Sequence, residues 1–220
     1  MVRIQDLRFE YSTGTFRLEI PEFEIGRGDR VAVIGPSGSG KTTLLNLVSG
    51  ILTPDNGAIK VDNLRVDALN ENERRDFRIQ SIGFVFQDFE LLDYLNVLDN
   101  ILLPYRITAA LQLDESTKSR ARDLANRMGI GDKLTRKSED LSQGEKQRVA
   151  ICRALLSGPD LILADEATGN LDPENKTLIL DLLFKSVAEE DATLLAVTHD
   201  HELLPNFDRV VDFRDFRQQS

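Results

Sequence analysis

Residues 35–42 read Gly35-Pro36-Ser37-Gly38-Ser39-Gly40-Lys41-Thr42, and this octapeptide decides how the rest of the chain is parsed. It fits G-x-x-x-x-G-K-[ST]. In that pattern glycines let the backbone wrap closely round phosphate oxygens, and the helix that follows presents unpaired N–H donors and a partial positive charge to an anion. The pattern carries meaning only between a strand and a helix, and both flanks are present. Arg30-Val31-Ala32-Val33-Ile34 has the composition of a buried strand. Leu44, Leu45, Leu47 and Val48 predict a helix that begins near Gly40 and stops at Gly50, a residue suited to a helix C-cap. Lys41 is expected to reach the β- and γ-phosphates of a nucleotide and the Thr42 hydroxyl to ligate Mg²⁺, with Thr43 completing the cofactor-binding stretch. The plainer alternative is a Gly/Ser-rich turn with an exposed lysine, but a chance match in a chain this long is on the order of one per cent.

Working outward, the first 35 residues predict short strands and turns. Val2 to Phe9 is followed by a break at Ser12-Thr13-Gly14, then Thr15 to Ile25 with Pro21 inside, then Gly26-Arg27-Gly28-Asp29. Beyond the loop, residues 57–66 predict one strand, the polar stretch 70–80 a short exposed helix, and Ile82 to Phe86 another strand. From Gln87 to Gly158 helical spacing takes over, as at Ala121, Leu124, Ala125 and Met128. This stretch is expected to be a helical subdomain inserted at about residues 88–158 into a single α/β domain of 220 residues. The core resumes with Asp160 to Glu166, a helix from Pro173 to about Val187 with Asp172 as N-cap, and a strand from Thr193 to Thr198. Strands alternating with helices imply a mostly parallel sheet with its site at the strands' C-terminal ends.

Leu161-Ile162-Leu163-Ala164 runs directly into Asp165-Glu166. An isolated carboxylate is costly to bury, so acids ending such a strand need a cation or a wet cavity. Asp165 is placed to hold a Mg²⁺ shell and Glu166 to orient or deprotonate an attacking water; alone, the segment could equally be a strand that surfaces on two acids. Leu141-Ser142-Gln143-Gly144-Glu145-Lys146-Gln147-Arg148 precedes an apolar helix, and Ser142 with Glu145 suits a capping box.

The phosphate loop, Gln87 after Phe84-Val85-Phe86, the Ser142–Glu145 run, Asp165-Glu166, Gly169-Asn170-Leu171-Asp172 and Thr198-His199-Asp200 follow one another in an order. That order resembles the ATP-binding subunit of an ABC transporter, over essentially the whole chain. The resemblance implies an α/β P-loop NTPase fold with a RecA-like core, an N-terminal antiparallel β subdomain and the inserted helical subdomain, working with ATP and Mg²⁺. It implies a head-to-tail dimer with a second copy of the chain, two ATP molecules lying between the phosphate loop of one subunit and the signature of the other. Ser142, Gly144 and Glu145 correspond to that signature, Gln87 to the Q-loop that touches Mg²⁺ and water, Asp172 to the D-loop, and His199 to the switch histidine. Tyr11 matches the aromatic that stacks on adenine, with Phe9 and Phe16 as nearby competitors for that role. His201 is expected at the surface. Two departures stand in the signature: Gln143 and Glu145 replace the usual Gly and Gln. Ala167 replaces a Pro often found after the paired acids.

Leu91 to Pro104 and Ala164 to Asp172 look like the lipoprotein-release and macrolide-export (LolD and MacB type) group of that family. There the ATPase drives integral membrane subunits. Apolar residues between Leu91 and Leu103, Leu92 and Tyr94 among them, are either helix core or a groove for a partner's coupling helix. The alternative is an ABC-type ATPase acting on DNA or the ribosome. Against it stand a net charge of -10, which disfavours nonspecific nucleic-acid binding, and the lack of coiled-coil heptads or cysteine clusters. The single cysteine, Cys152, forms no internal disulfide and falls on an apolar helix face with Val149 and Leu156. The expected location is a reducing cytoplasm, peripheral to the inner face of the cell membrane through the partner.

Overall fold

The computed structural model describes residues 1–12 and 16–216, without the side chains of Pro173, Glu174 and Asp215. Of the expected Ser12-Thr13-Gly14 break, Thr13 and Gly14 lie outside the described residues. The chain divides into two compact units: Ile79–Ala192, and the described residues on either side of it.

The flanking unit carries an antiparallel sheet of β1 (Val2–Glu10), β2 (Arg17–Ile25), β4 (Asn56–Val61) and β5 (Leu64–Arg65), in the order β2-β1-β4-β5. β1 buries Val2 and Ile4, then Leu7 and Phe9, so its alternation slips by one residue at Asp6. That residue takes a left-handed φ of 48°, and the register of β1 on β4 shifts between Gln5 and Arg8. The extra residue is a β-bulge, which restores the apolar face after the slip. Pro21 is tolerated because β2 is an edge strand. The single strand expected over 57–66 is instead two strands: the chain reverses at Asp62-Asn63, with Asp62 at φ 50°, and Lys60 pairs Arg65. A two-residue turn that needs a left-handed residue is well served by Asp.

The same unit holds parallel strands. β3 (Arg30–Ile34) lies between β8 (Thr193–Val197) and β9 (Arg209–Asp212). β8 is buried along its whole length, as a strand of a covered parallel sheet should be. β9 has no counterpart in the sequence reading. Its four residues, Arg209-Val210-Val211-Asp212, carry too short an apolar signal to stand out, and pairing with β3 makes the strand. α1 (Lys41–Val48) follows β3 as expected, buried at Lys41, Thr43, Leu44, Leu45, Leu47 and Val48. The polar helix expected over 70–80 is α2 (Glu71–Ser81), whose one buried residue is Phe77.

In the Ile79–Ala192 unit, β6 (Ile82–Val85) pairs in parallel with β7 (Leu161–Asp165), Ile82 opposite Leu161. Around them lie α3 (Val97–Ile101), α4 (Leu103–Arg106), α5 (Glu115–Arg127), α6 (Gln143–Leu155) and α7 (Pro173–Glu189). α5 is capped by Asp114 and buries Ala121, Leu124 and Ala125, with Met128 just beyond its end. α7 starts at Asp172, whose side chain accepts from the Asn175 N–H. Among the described residues no helix is long and apolar enough to cross a membrane.

Candidate nucleotide site

The phosphate loop keeps an open shape because two of its glycines occupy conformations and spaces closed to other residues. Gly35 has φ 152° and a Cβ there would lie 3.1 Å from Ser39 Oγ; Gly40 has φ 103° and a Cβ would lie 2.6 Å from Phe16 Cζ. Phe213, fully buried, backs both positions, 3.2 and 3.3 Å from the same hypothetical carbons. The loop encloses Lys41, whose ammonium donates to the carbonyls of Gly35 (2.9 Å) and Pro36 (3.1 Å). The buried Ser39 hydroxyl has no hydrogen-bond partner among the described residues. Gly40 serves α1 as N-cap and offers no side-chain oxygen to the first turn, so no capping side chain competes with an anion for those N–H groups. Ser37, Gly38 and Thr42 face solvent. An orphaned buried hydroxyl, a helix tip without a side-chain cap and an enclosed lysine form a cradle that fits a polyphosphate.

A cavity of about 620 Å³ adjoins the loop, lined by Ile34, Gly35, Pro36, His199, His201, Asp212 and Arg214. His199 follows β8, where the Thr198 N–H donates to the Val33 carbonyl (3.1 Å) and the Thr198 hydroxyl accepts from the Asp200 N–H (3.0 Å). Both histidines are exposed, and His201 shares the cavity with His199. Hydrogen bonds from Arg214 hold the Asp212 carboxyl down at about 2, with smaller help from His201. Tyr11 is 38% exposed while Phe9 is 6%. The Tyr11 ring packs edge-on to Phe9 with centroids 4.9 Å apart, tilts against Phe16 at 5.7 Å, and its hydroxyl lies 3.1 Å from Thr43 Oγ1.

The remaining sequence-derived residues belong to the Ile79–Ala192 unit. β7 ends on Asp165, and Glu166 adopts a left-handed φ of 47°, a conformation that costs a non-glycine residue of order 1 kcal/mol or more. The turn that follows is closed by the Gly169 N–H on the Glu166 carbonyl at 2.8 Å. Asn170 donates to the Gln87 carbonyl and to Asp88 Oδ1, both at 3.1 Å, and a Cβ on Gly169 would lie 3.2 Å from Gln87 Nε2. Gln87 and the Glu166 turn are thus neighbours.

Ser142 caps α6, and the capping box is formed: the Ser142 N–H donates to Glu145 at 2.8 Å and the Glu145 N–H to the Ser142 hydroxyl at 3.3 Å. Burial raises the Glu145 carboxyl, but the bonds from Ser142 and from Lys133, 3.3 Å away, outweigh it and hold the group below the usual range. The carboxylate is therefore engaged within its own helix tip. Ser142 and Gln143 are exposed and Gly144 is buried, its hypothetical Cβ 3.1 Å from Asn175 Oδ1. Cys152 is buried and burial pushes its thiol up to about 12, so the expectation of a core residue holds. Phe213 and Asn175 escaped the sequence reading, as did the contacts of Phe16 and Asn170; only proximity after folding distinguishes these residues from other aromatics and amides.

A lysine-bearing phosphate loop on an α/β core defines a nucleotide-binding P-loop protein. The model of the ABC transporter family matches residues 18–169. The chain is 38% identical to the lipoprotein-releasing system ATP-binding protein LolD of Hydrogenovibrio crunogenus, over 95% of this chain and 91% of that one. It is 41% identical to LolD 1 of Caulobacter vibrioides, over 90% and 85%, and 36% identical to the macrolide export ATP-binding/permease protein MacB of Syntrophobacter fumaroxidans, over 98% of this chain and 30% of that one. Among solved structures it is similar to the dimeric ATP-binding cassette MJ0796 in a post-hydrolysis state bound to ADP and Pi. The TM-score is 0.85 at 32% identity, covering 96% of this chain and 94% of that chain. The chain belongs to the ABC transporter family and is an ATP-binding subunit of that family and an ATP hydrolase.

Proposed function

We propose that two copies of this chain close head to tail on two ATP molecules and that closure drives integral membrane subunits of the lipoprotein-release or macrolide-export type. The strongest support is the likeness over 96% of the chain to a dimeric cassette bound to ADP and Pi. The exposed, pre-capped Ser142 helix tip adds to it, being a surface that a second subunit's phosphates can meet. The sequence relatives named for lipoprotein release and macrolide export support the transporter group. In this reading the subunit docks on the membrane through its partner, and residues 88–158 form the arm that carries the signature. Tyr94, 74% exposed, lies in that arm while Val97, Ile101 and Leu102 form core.

In the same reading Tyr11 stacks on adenine, the backbone of residues 35–42 with Thr43 binds the phosphates, and Lys41 balances charge on the β- and γ-phosphates. The hydroxyl of Thr42, the carboxylate of Asp165 and the amide oxygen of Gln87 are hard oxygen donors that suit Mg²⁺. Mg²⁺ in such sites is held largely through phosphates and water, with one or two protein oxygens. When bound, Mg²⁺ neutralises charge on the β- and γ-oxygens. Glu166 takes or orients the proton of the attacking water, and His199 donates to the γ-phosphate. Across the dimer, Ser142, Gly144 and the α6 N-terminus stabilise the γ-phosphate, with Glu145 and Asp172 setting the tips that face it.

The test is Glu166→Gln in saturating MgATP. Turnover should fall roughly 10²- to 10⁴-fold, about 3 to 5 kcal/mol of barrier, and light scattering should show an ATP-dependent dimer. A monomer under those conditions, or full turnover by Ser142→Ala, overturns the reading.

A further inference from the structure

Phe89 and Glu90 are consecutive and both left-handed, with φ 60° and 50°. Each such non-glycine residue is strained and persists only where its surroundings hold it. Beside the local bonds from the Phe89 N–H to the Phe86 carbonyl and from the Glu90 N–H to the Asp88 carbonyl, one distant side chain holds both of their carbonyls. The guanidinium of Arg153, in the last turn of α6, donates to the Phe89 carbonyl at 2.6 Å and to the Glu90 carbonyl. Arg153 is half-buried, and burial lowers its pKa to about 10, with the Glu90 charge acting in the opposite direction. Two carbonyls one residue apart suit the planar fork of arginine; a lysine ammonium reaches only as a point charge.

The bend begins two residues after Gln87. On its other side the Gln87 carbonyl is held by Asn170, so the stretch 87–90 is pinned at both ends. α6, a rod of about 1.5 Å per residue, joins Arg153 at one end to Ser142 at the other. We infer that Arg153 is a positioning residue for Gln87, fixing the Phe89–Glu90 bend and tying it to the helix that carries Ser142. The inference rests on the reading that Gln87 acts in turnover.

The experiment compares Arg153→Lys, Glu90→Gly and the double variant with the natural chain, using steady-state phosphate release and thermal unfolding. Arg153→Lys should lower kcat roughly tenfold and leave the KM for ATP unchanged. Glycine accepts a left-handed φ without strain, so adding Glu90→Gly should restore at least half of the lost kcat. A purely structural arginine would show a lower unfolding midpoint without that rescue. Natural kcat in Arg153→Lys, or no rescue, overturns the inference. Should Arg153→Lys fail to fold, Glu90→Val supplies the readout: a β-branched residue resists the bend, kcat should fall with KM unchanged, and an unchanged kcat overturns the inference. Gln87→Ala run alongside separates the two failures, since full turnover there would refute the role of Gln87 and not the clamp.

Discussion

The side-chain amide of Asn170 donates to the backbone carbonyl of Gln87 at 3.1 Å, binding the turn after Glu166 to the stretch after β6. The same nitrogen reaches Asp88 Oδ1. Removing it in Asn170→Ala leaves two acceptors unpaired, at about 0.5 to 1.5 kcal/mol for a neutral bond. Phosphate release should slow roughly three- to tenfold with little change in KM. Asn170→Asp, which sets a carboxylate against Asp88, should be worse than Asn170→Ala; equal or natural rates in both variants would refute a positioning role for this amide.

Gly40 is irreplaceable on two counts, its φ of 103° and the 2.6 Å approach of Phe16 to any Cβ. Gly40→Ala should raise the KM for ATP roughly tenfold or more, reflecting about 1 to 2 kcal/mol of backbone strain before the clash is counted. Combining it with Phe16→Ala removes the clash and not the strain, so recovery should be partial. Full recovery, measured by titration with a fluorescent ATP analogue, would show that φ is unimportant there.

Tyr11 can be dissected by its two ends. Tyr11→Phe keeps the ring and loses only the contact with Thr43, so nucleotide affinity should fall roughly two- to fivefold, the worth of about 0.5 to 1 kcal/mol. Tyr11→Ala also removes the ring face proposed to stack on adenine and should cost affinity roughly tenfold or more, with kcat little altered. A larger loss in Phe16→Ala than in Tyr11→Ala would transfer the adenine-stacking role to Phe16.

Acid should unfasten the α5 cap. The Thr117 N–H, with the Ser116 and Thr117 hydroxyls, holds the Asp114 carboxyl at about 2 against an ordinary 3.8. Because the folded pKa is the lower one, the stabilisation is fully present above about pH 4. It is lost as pH falls toward 2. Asp114→Asn should flatten that part of the stability-versus-pH curve, and urea unfolding of both chains from pH 5 to pH 2 measures it. An unchanged acid slope would mean that Asp114 is not the titrating cap.

The phosphate loop, α1, β7 and the Asp172 and Ser142 caps were legible in the sequence because each is settled by residues within a few positions of one another. The hairpin over 56–65 was hidden in a continuous polar-apolar run whose only turn signal was Asp62-Asn63. β9 was hidden because four residues cannot show a period. At the site, motif spacing singled out Lys41 and Glu166 as candidates and the family resemblance singled out Gln87, whereas the contacts around them were not readable.

The sequence by itself determined the strand-loop-helix that cradles phosphate and the order of motifs that marks the family, since glycine conformation, helix capping and hydrophobic period act locally. Folding alone decided that Phe213 backs the loop of Gly35 and Gly40, that Tyr11 meets Thr43, and that Arg153 seizes carbonyls 64 and 63 positions away. Such contacts depend on which distant surfaces pack together. Nothing in the local chemistry of an arginine, a phenylalanine or an asparagine specifies its partner until the strands have paired.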